Sequence, residues 1–182
     1  MMKEKDDALI AETNRPDALS SIQAEKAILG AILLDNSLFE AAKVLDLDDF
    51  MLDAHRLIFS HIAQMIERGE AADIVTLAEE LRSTNELNKI GELPICYIAS
   101  LGEDTIRYRP AVRSWAGIVK GKSLLRQLAK CCDSALKKTY DGESGMEIIT
   151  CLRGELDDIE RQARTGLRSE LEVKEMHGNV NH

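Results

Sequence analysis

The 182-residue sequence has few aromatic residues and no long apolar run, and each shortage argues against a class of protein. Aromatic residues make up 4% of the chain and do not cluster, which argues against the stacking platforms of single-strand binders. No apolar run approaches the roughly 18 residues that a membrane-spanning helix needs. The N-terminal stretch also lacks the apolar core of a signal peptide. The composition therefore predicts a soluble, cytoplasmic protein with no membrane partner.

Cysteine and histidine are scarce, and their spacing gives no metal site. Without an export signal, the four cysteines are expected to be reduced thiols, and no pair has Cys-x-x-Cys spacing. Cys131 and Cys132 are adjacent, so they point to different faces of a helix and are interpreted as small apolar residues. His55 and His61 lie six residues apart, which is not the spacing of a zinc-binding helix. We predict no metal ligand, no cofactor and no catalytic residue.

Positive charge is concentrated in one segment of an acidic chain. The net charge of −9 argues against nonspecific coating of DNA, yet residues 105–138 hold nine basic residues and one acidic residue. Three interpretations stay open: a solvated face that pairs within the chain, contact with an acidic protein surface, and contact with nucleic acid. The candidate electrostatic contacts are Arg113, Lys120, Lys122, Arg126 and Lys130.

Apolar residues recur at helical spacing along the first hundred residues. Residues 1–15 are predicted to be a flexible arm, and residues 16–104 a compact globular head of short helices. One helix is predicted from about Asp53 to Arg68, with Gly69 as its left-handed terminator. Another is predicted to begin at Thr76, with Glu79 as its capping partner. The fold class is therefore all-α.

The pattern changes after residue 104, where residues 105–164 predict a long antiparallel helical hairpin. A helix from Ala111 to about Lys138 and a last helix ending near Ala163 flank a turn rich in Gly and Asp. Residues 165–182 lose the period and are predicted to be a disordered tail. A hairpin of two helices cannot cover all of its own apolar residues, so it needs a partner. A second copy of the chain is the simplest one. The predicted interface residues are Ile118, Leu125, Leu128, Cys132, Ile149, Leu152, Leu156 and Ile159.

Residues 116–123 nearly spell a phosphate-binding loop. The sequence AGIVKGKS has Ala where the strict motif has its first Gly. A true loop follows a β-strand and leaves its backbone amides free for phosphate, whereas here one helical period continues on both sides. We favour coincidence over a nucleotide site, which stays the weaker alternative.

Five segments match a known pattern in order and at about the expected spacing. They are AEKAILGAILLD (24–35), Phe50 with AHRLIF (54–59), DIVTL (73–77), Ile90–Gly91, and Ile118–Val119 with LLRQL (124–128). Together they resemble the N-terminal domain of bacterial replicative helicases of the DnaB type, over about residues 16–163. Glu92 replaces a glycine of that pattern, residues 94–96 look like a small insertion, and Trp115 replaces a tyrosine. The family's motor domain is absent from the sequence.

The resemblance implies a non-catalytic module of DNA replication. In that family the hairpins pair the N-terminal domains into dimers, and three such dimers lie above the ring of motor domains. The assembled N-terminal domains bind the helical helicase-binding domain of primase. It therefore implies self-association and primase or helicase subunits as partners, with nucleic acid bound weakly if at all. Two alternatives stay open: a stand-alone regulator acting in trans on helicase or primase, and a small nucleic-acid-binding protein that uses residues 107–138.

Overall fold

The computed structural model describes the backbone of residues 19–103 and 105–178, and the side chains of these ranges as far as residue 163. All regular structure in these ranges is helical, so the all-α prediction is confirmed. Three short 3-10 turns, at Asn36–Leu38, Leu47–Asp49 and Leu87–Ile90, separate the α-helices. The helices are α1 (Ile22–Leu34), α2 (Phe39–Ala42), α3 (Asp53–Glu67), α4 (Ile74–Ser83), α5 (Pro94–Leu101), α6 (Arg109–Tyr140) and α7 (Gly145–Gly178).

The chain divides into two compact units, the first ending at Ser123 and the second beginning at Leu124. In the first unit α1 lies at the centre, because nearly its whole surface is apolar and eight of its residues are buried. Phe50 is fully buried and its ring centroid lies 4.8 Å from that of Phe59, which in turn is 5.6 Å from Phe39. The three rings belong to the apolar core of the first unit.

The ends of α3 and α4 show one prediction confirmed and one wrong. Gly69 follows α3 with a φ of 76°, as predicted for a left-handed terminator. Helix α4 begins at Ile74 rather than at Thr76, because Asp73 is its cap and accepts hydrogen bonds from the amides of Val75 and Thr76. Thr76 completes the box, since its hydroxyl accepts from the Asp73 amide at 2.8 Å. Glu79 has no part in this cap.

A buried polar network connects α1, α3 and α5. The Glu25 carboxylate is 1% exposed, lies 2.6 Å from Nδ1 of His55, and accepts a hydrogen bond from the Met51 amide at 2.9 Å. Nε2 of His55 lies 2.6 Å from the Tyr97 hydroxyl. His55 is therefore fully buried with both ring nitrogens paired.

Helix α6 begins inside the first unit. Its residues Val112, Ala116, Val119 and Ser123 are buried, and their spacing of three to four places them on one face of the helix. The first three belong to the same apolar core as α1 and α3. The division of the chain falls between residues 123 and 124, whereas the sequence predicts the change from head to hairpin at 104/105, because the first part of α6 belongs to the core of the first unit.

Helix α7 continues to Gly178, whereas the sequence predicts a disordered tail from residue 165. The backbone of residues 165–178 is helical, and residues 179–182 lie outside the described part of the chain. The predicted end near Ala163 relied on the loss of apolar periodicity. Leu, Glu, Lys and Arg are good helix formers without any apolar stripe, and this stretch is rich in them and has no proline.

The close approach of α1 and α5 gives a first prediction. A Cβ at Gly30 would overlap the Leu101 carbonyl oxygen, which is backbone and cannot rotate away. Gly30→Ala should therefore lower the free energy of unfolding by about 2–3 kcal/mol, measured by urea denaturation. Gly121→Ala is the matched control: it lies in α6 with no atom within 4 Å of a new Cβ, and should raise stability by roughly 0.5–1 kcal/mol. Equal effects of the two substitutions would contradict the close approach.

Candidate interaction surface

The predicted interface residue in the first unit, Ile118, lies on α6 and is 46% exposed. The buried stripe on Val112, Ala116 and Val119 faces the core, so Ile118 is left on a different side of the helix. Exposure of a large aliphatic side chain at this position is compatible with the predicted interface role, which stays a prediction.

Lys120, predicted as an electrostatic contact, is held inside the first unit. Its ammonium lies 2.7 Å from the Asp49 carboxylate and 3.1 Å from that of Asp46, and its side chain is only 12% exposed. Burial disfavours the charged amine, but the hydrogen bond to Asp49 and the charges of both acids outweigh it, so the pKa of Lys120 lies above its ordinary value. Lys120 thus anchors α6 to the 3-10 turn before Phe50, which agrees with the interpretation that basic residues of this segment pair within the chain.

Asp49 has a local role and a long-range role. Locally, its carboxylate accepts a hydrogen bond from the Asp46 amide at 2.8 Å and caps the 3-10 turn. The same carboxylate, 2% exposed as a residue, also meets Lys120 from 71 positions further along the chain. Two acids three residues apart before a buried Phe are the available signal, and it does not identify the lysine.

Exposed apolar residues run along both helices of the second unit. Leu125, Leu128 and Cys132 on α6 are exposed, as are Ile149 and Leu156 on α7. Leu125 and Cys132 lie seven residues apart, as do Ile149 and Leu156, so each pair occupies one side of its helix. Leu136, Tyr140 and Met146 add to the exposed apolar surface at the ends next to the turn, where the two helices meet.

The other two predicted interface residues, Leu152 and Ile159, are half-buried. Leu152 lines the narrow space between α6 and α7 in the second unit, together with Ala135 and Ile148. Leu152 thus serves contact between the two helices of one chain, while Leu125, Ile149 and Leu156 keep their side chains outward. Of the basic candidates besides Lys120, Lys130 is exposed, and Arg113, Lys122 and Arg126 are half-buried.

The region that resembles a phosphate-binding loop is helical throughout. Residues 116–123 lie inside α6, where the backbone amides are hydrogen-bonded along the helix and do not form a phosphate cradle. Within the ranges whose side chains are described, no three His, Cys, Asp or Glu residues are arranged to hold a metal ion. None of the described helices is long and apolar enough to cross a bilayer.

Comparison with known proteins points to one family. The family model described as "DnaB-like helicase N terminal domain" matches residues 17–121. Replicative DNA helicase DnaB of Geobacillus stearothermophilus is 34% identical over 143 residues, which are 78% of this chain and 30% of that protein. Replicative DNA helicase DnaC of Bacillus subtilis is 34% identical over 70% of this chain and 28% of its own length. The chain thus spans about 30% of the curated relatives that it matches.

A solved structure matches the fold as well. The crystal structure of the N-terminal domain of DnaB helicase from Mycobacterium tuberculosis aligns with a TM-score of 0.68 and 29% sequence identity. The alignment covers 78% of this chain and 99% of that domain. Nearly the whole of that isolated N-terminal domain therefore has its counterpart here.

The Lys120 anchor gives a second prediction. Lys120→Met leaves the buried Asp49 carboxylate without its cation and should cost about 1–3 kcal/mol in urea denaturation. Lys130→Met, at an exposed position of the same helix, should stay within about 0.5 kcal/mol of the parent. Because the pKa of Lys120 is raised, its contribution is complete below the amine's ordinary pKa of 10.5 and is lost as the pH rises through the folded-state value. A Lys120→Met variant with the same free energy of unfolding as the parent would contradict the anchoring role of Lys120.

Proposed function

Because the chain belongs to the DnaB-like helicase N-terminal domain family, we propose that it acts in DNA replication as a non-catalytic assembly and docking module. The observation that carries this proposal is the row of exposed apolar residues on the second unit. Leu125, Ile149 and Leu156 are each at least 39% exposed on helices whose inner faces are already occupied. Exposed aliphatic side chains repeated at seven-residue spacing favour a helical partner.

The first partner that we propose is a second copy of the chain. A two-fold dimer would cover the same residues on both copies, so one apolar row is enough to form the interface. From the family resemblance, three such dimers would stand above a helicase ring in the cytoplasm and receive the helical bundle of primase. Nucleic acid would be bound weakly if at all, since Lys120 is engaged with two acids.

Substitutions in the apolar row test the dimer. The parent chain at tens of micromolar should sediment at twice its 20.2 kDa mass. Leu125→Glu and Leu156→Glu each place a charge in the apolar contact, a penalty of about 3 kcal/mol or more that raises the dissociation constant at least about 100-fold. Val75→Glu is the matched control, because Val75 is 70% exposed on α4 of the first unit and should leave the dimer intact. A parent that is strictly monomeric at this concentration would refute the dimer.

Docking to primase can be measured with the same variants. The parent chain should bind the helicase-binding bundle of the primase from the same organism, and titration calorimetry gives the affinity. If docking needs the paired module, Leu125→Glu should weaken it while Val75→Glu does not. Recovery of full-length helicase in place of primase, when the chain is purified from its host, would favour the alternative of a regulator acting in trans.

We also propose that this chain alone does not hydrolyse ATP. The only sequence like a nucleotide loop lies inside α6, where it offers no free run of amides. ATP turnover by the purified chain, with and without single-stranded DNA, should stay at the level of the buffer. Lys122→Ala should change nothing, whereas turnover that this substitution abolishes would contradict the proposal.

A further inference from the structure

Two thiols, a carboxylate and an ammonium meet between the helices of the second unit. The Cys151 thiol donates to Oε1 of Glu155 across 3.5 Å, and its sulfur accepts a hydrogen bond from the Lys138 ammonium at 3.1 Å. Glu155 is also the group that most raises the pKa of the Cys131 thiol. Cys131 and Cys151, from different helices, also line one narrow space. This cluster is separate from the outward apolar row, and its role is independent of the proposed function.

A cation lies directly beside the Cys151 sulfur, which accepts a hydrogen bond from the Lys138 ammonium at 3.1 Å. A cation at this distance stabilises the negative charge that develops on the sulfur as it attacks an electrophile, and such a neighbour is typical of reactive cysteines. The hydrogen bonds from Cys131 and Cys151 lower the pKa of Glu155, so its carboxylate stays ionised at neutral pH. The hydrogen bond to the Cys151 sulfur raises the pKa of Lys138, which keeps its charge. Cys151 is half-buried, which leaves part of its side chain open to a small oxidant.

Cys131 is in the opposite situation. Its side chain is buried, with 4% of the residue exposed. The hydrogen bond to Glu155, followed by burial, raises the pKa of Cys131 to about 11, so it remains a thiol at neutral pH. A buried, protonated thiol reacts slowly with an external oxidant. It nevertheless lines the same narrow space as Cys151, so it can meet an activated sulfur there.

We infer that Cys131 and Cys151 form a redox pair in which Cys151 reacts first, with a hydroperoxide as the oxidant, and Cys131 then closes a disulfide between α6 and α7. In the first step the Cys151 thiolate attacks the peroxide, a sulfur–oxygen bond forms, the oxygen–oxygen bond breaks, and the leaving oxygen takes up a proton as water. In the second step the Cys131 sulfur attacks the sulfenic sulfur, a disulfide forms, and water leaves with the proton of Cys131. Two thiols and one hydrogen peroxide thus give one disulfide and two waters.

The order of reaction can be tested by mass spectrometry. The parent chain, treated with hydrogen peroxide, alkylated and digested with trypsin, should yield a peptide that links Cys131 to Cys151, with Cys96 alkylated. Because Cys131 and Cys132 share one tryptic peptide, Cys132→Ser is used beside the parent to fix the assignment. In Cys131→Ser, Cys151 should accumulate as a sulfenic acid that dimedone traps. In Cys151→Ser, Cys131 should stay reduced.

Neighbouring lysines supply the matched rate test. Lys138→Met should slow formation of the disulfide several-fold, because the thiolate loses its adjacent cation. Lys137→Met, next to it in sequence and paired with Asp133, should not change the rate. Retained helical circular dichroism in every variant excludes misfolding. The inference is overturned if Cys96 or Cys132 oxidises before Cys151, if the link joins two chains, or if Lys138→Met behaves like Lys137→Met. If the chain is monomeric but still forms the Cys131–Cys151 disulfide, the dimer proposal fails and the redox pair stands.

Discussion

The first unit depends on one buried carboxylate. Glu25 is 1% exposed, and an ionisable group at that depth costs free energy unless every oxygen has a partner. Its partners are the Met51 amide and the His55 ring, and His55 in turn reaches Tyr97. The network requires α1, α3 and α5 to meet in one arrangement, since any other leaves buried polar groups unpaired. Apolar packing around the network supplies the free energy of folding, and the network favours this one arrangement of the three helices over others.

The two units use polar and apolar groups in opposite ways. In the first, charges such as Asp49 and Lys120 are drawn inward and satisfied, and the large aliphatic side chains are mostly covered. In the second, the thiols and charges around Glu155 lie between the helices while Leu125 and Leu156 face outward. A chain whose apolar residues face outward gains by binding another helix. This contrast supports a module whose first unit buries its own core and whose second unit offers exposed apolar residues to a partner.

Local pattern was enough to predict α3, α6 and the all-α class, because periodicity, Gly69 and the prolines are short-range signals. It failed where two local signals competed, as at Asp73 and Thr76, both of which are good capping residues. It also failed where the partner was distant: Lys120 meets Asp49 across 71 positions, and no spacing rule links them. The family could be recognised because its motifs are spread over several elements, whereas none of them identifies the cluster at Glu155.

Sequence periodicity cannot separate the apolar residues that pack between the two helices of one chain from those that remain for a second chain. On α7, Leu152 and Ile159 repeat at the same seven-residue spacing as Ile149 and Leu156, so periodicity alone gives all four the same role. Exposure separates them, because Leu152 and Ile159 are half-buried, with Leu152 lining the space beside α6, whereas Ile149 and Leu156 stay exposed. Adjacent Cys131 and Cys132 divide in the same way, one buried and one exposed. The proposed self-association and the proposed thiol chemistry would therefore use different faces of the same helices, and a variant could lose either one without the other.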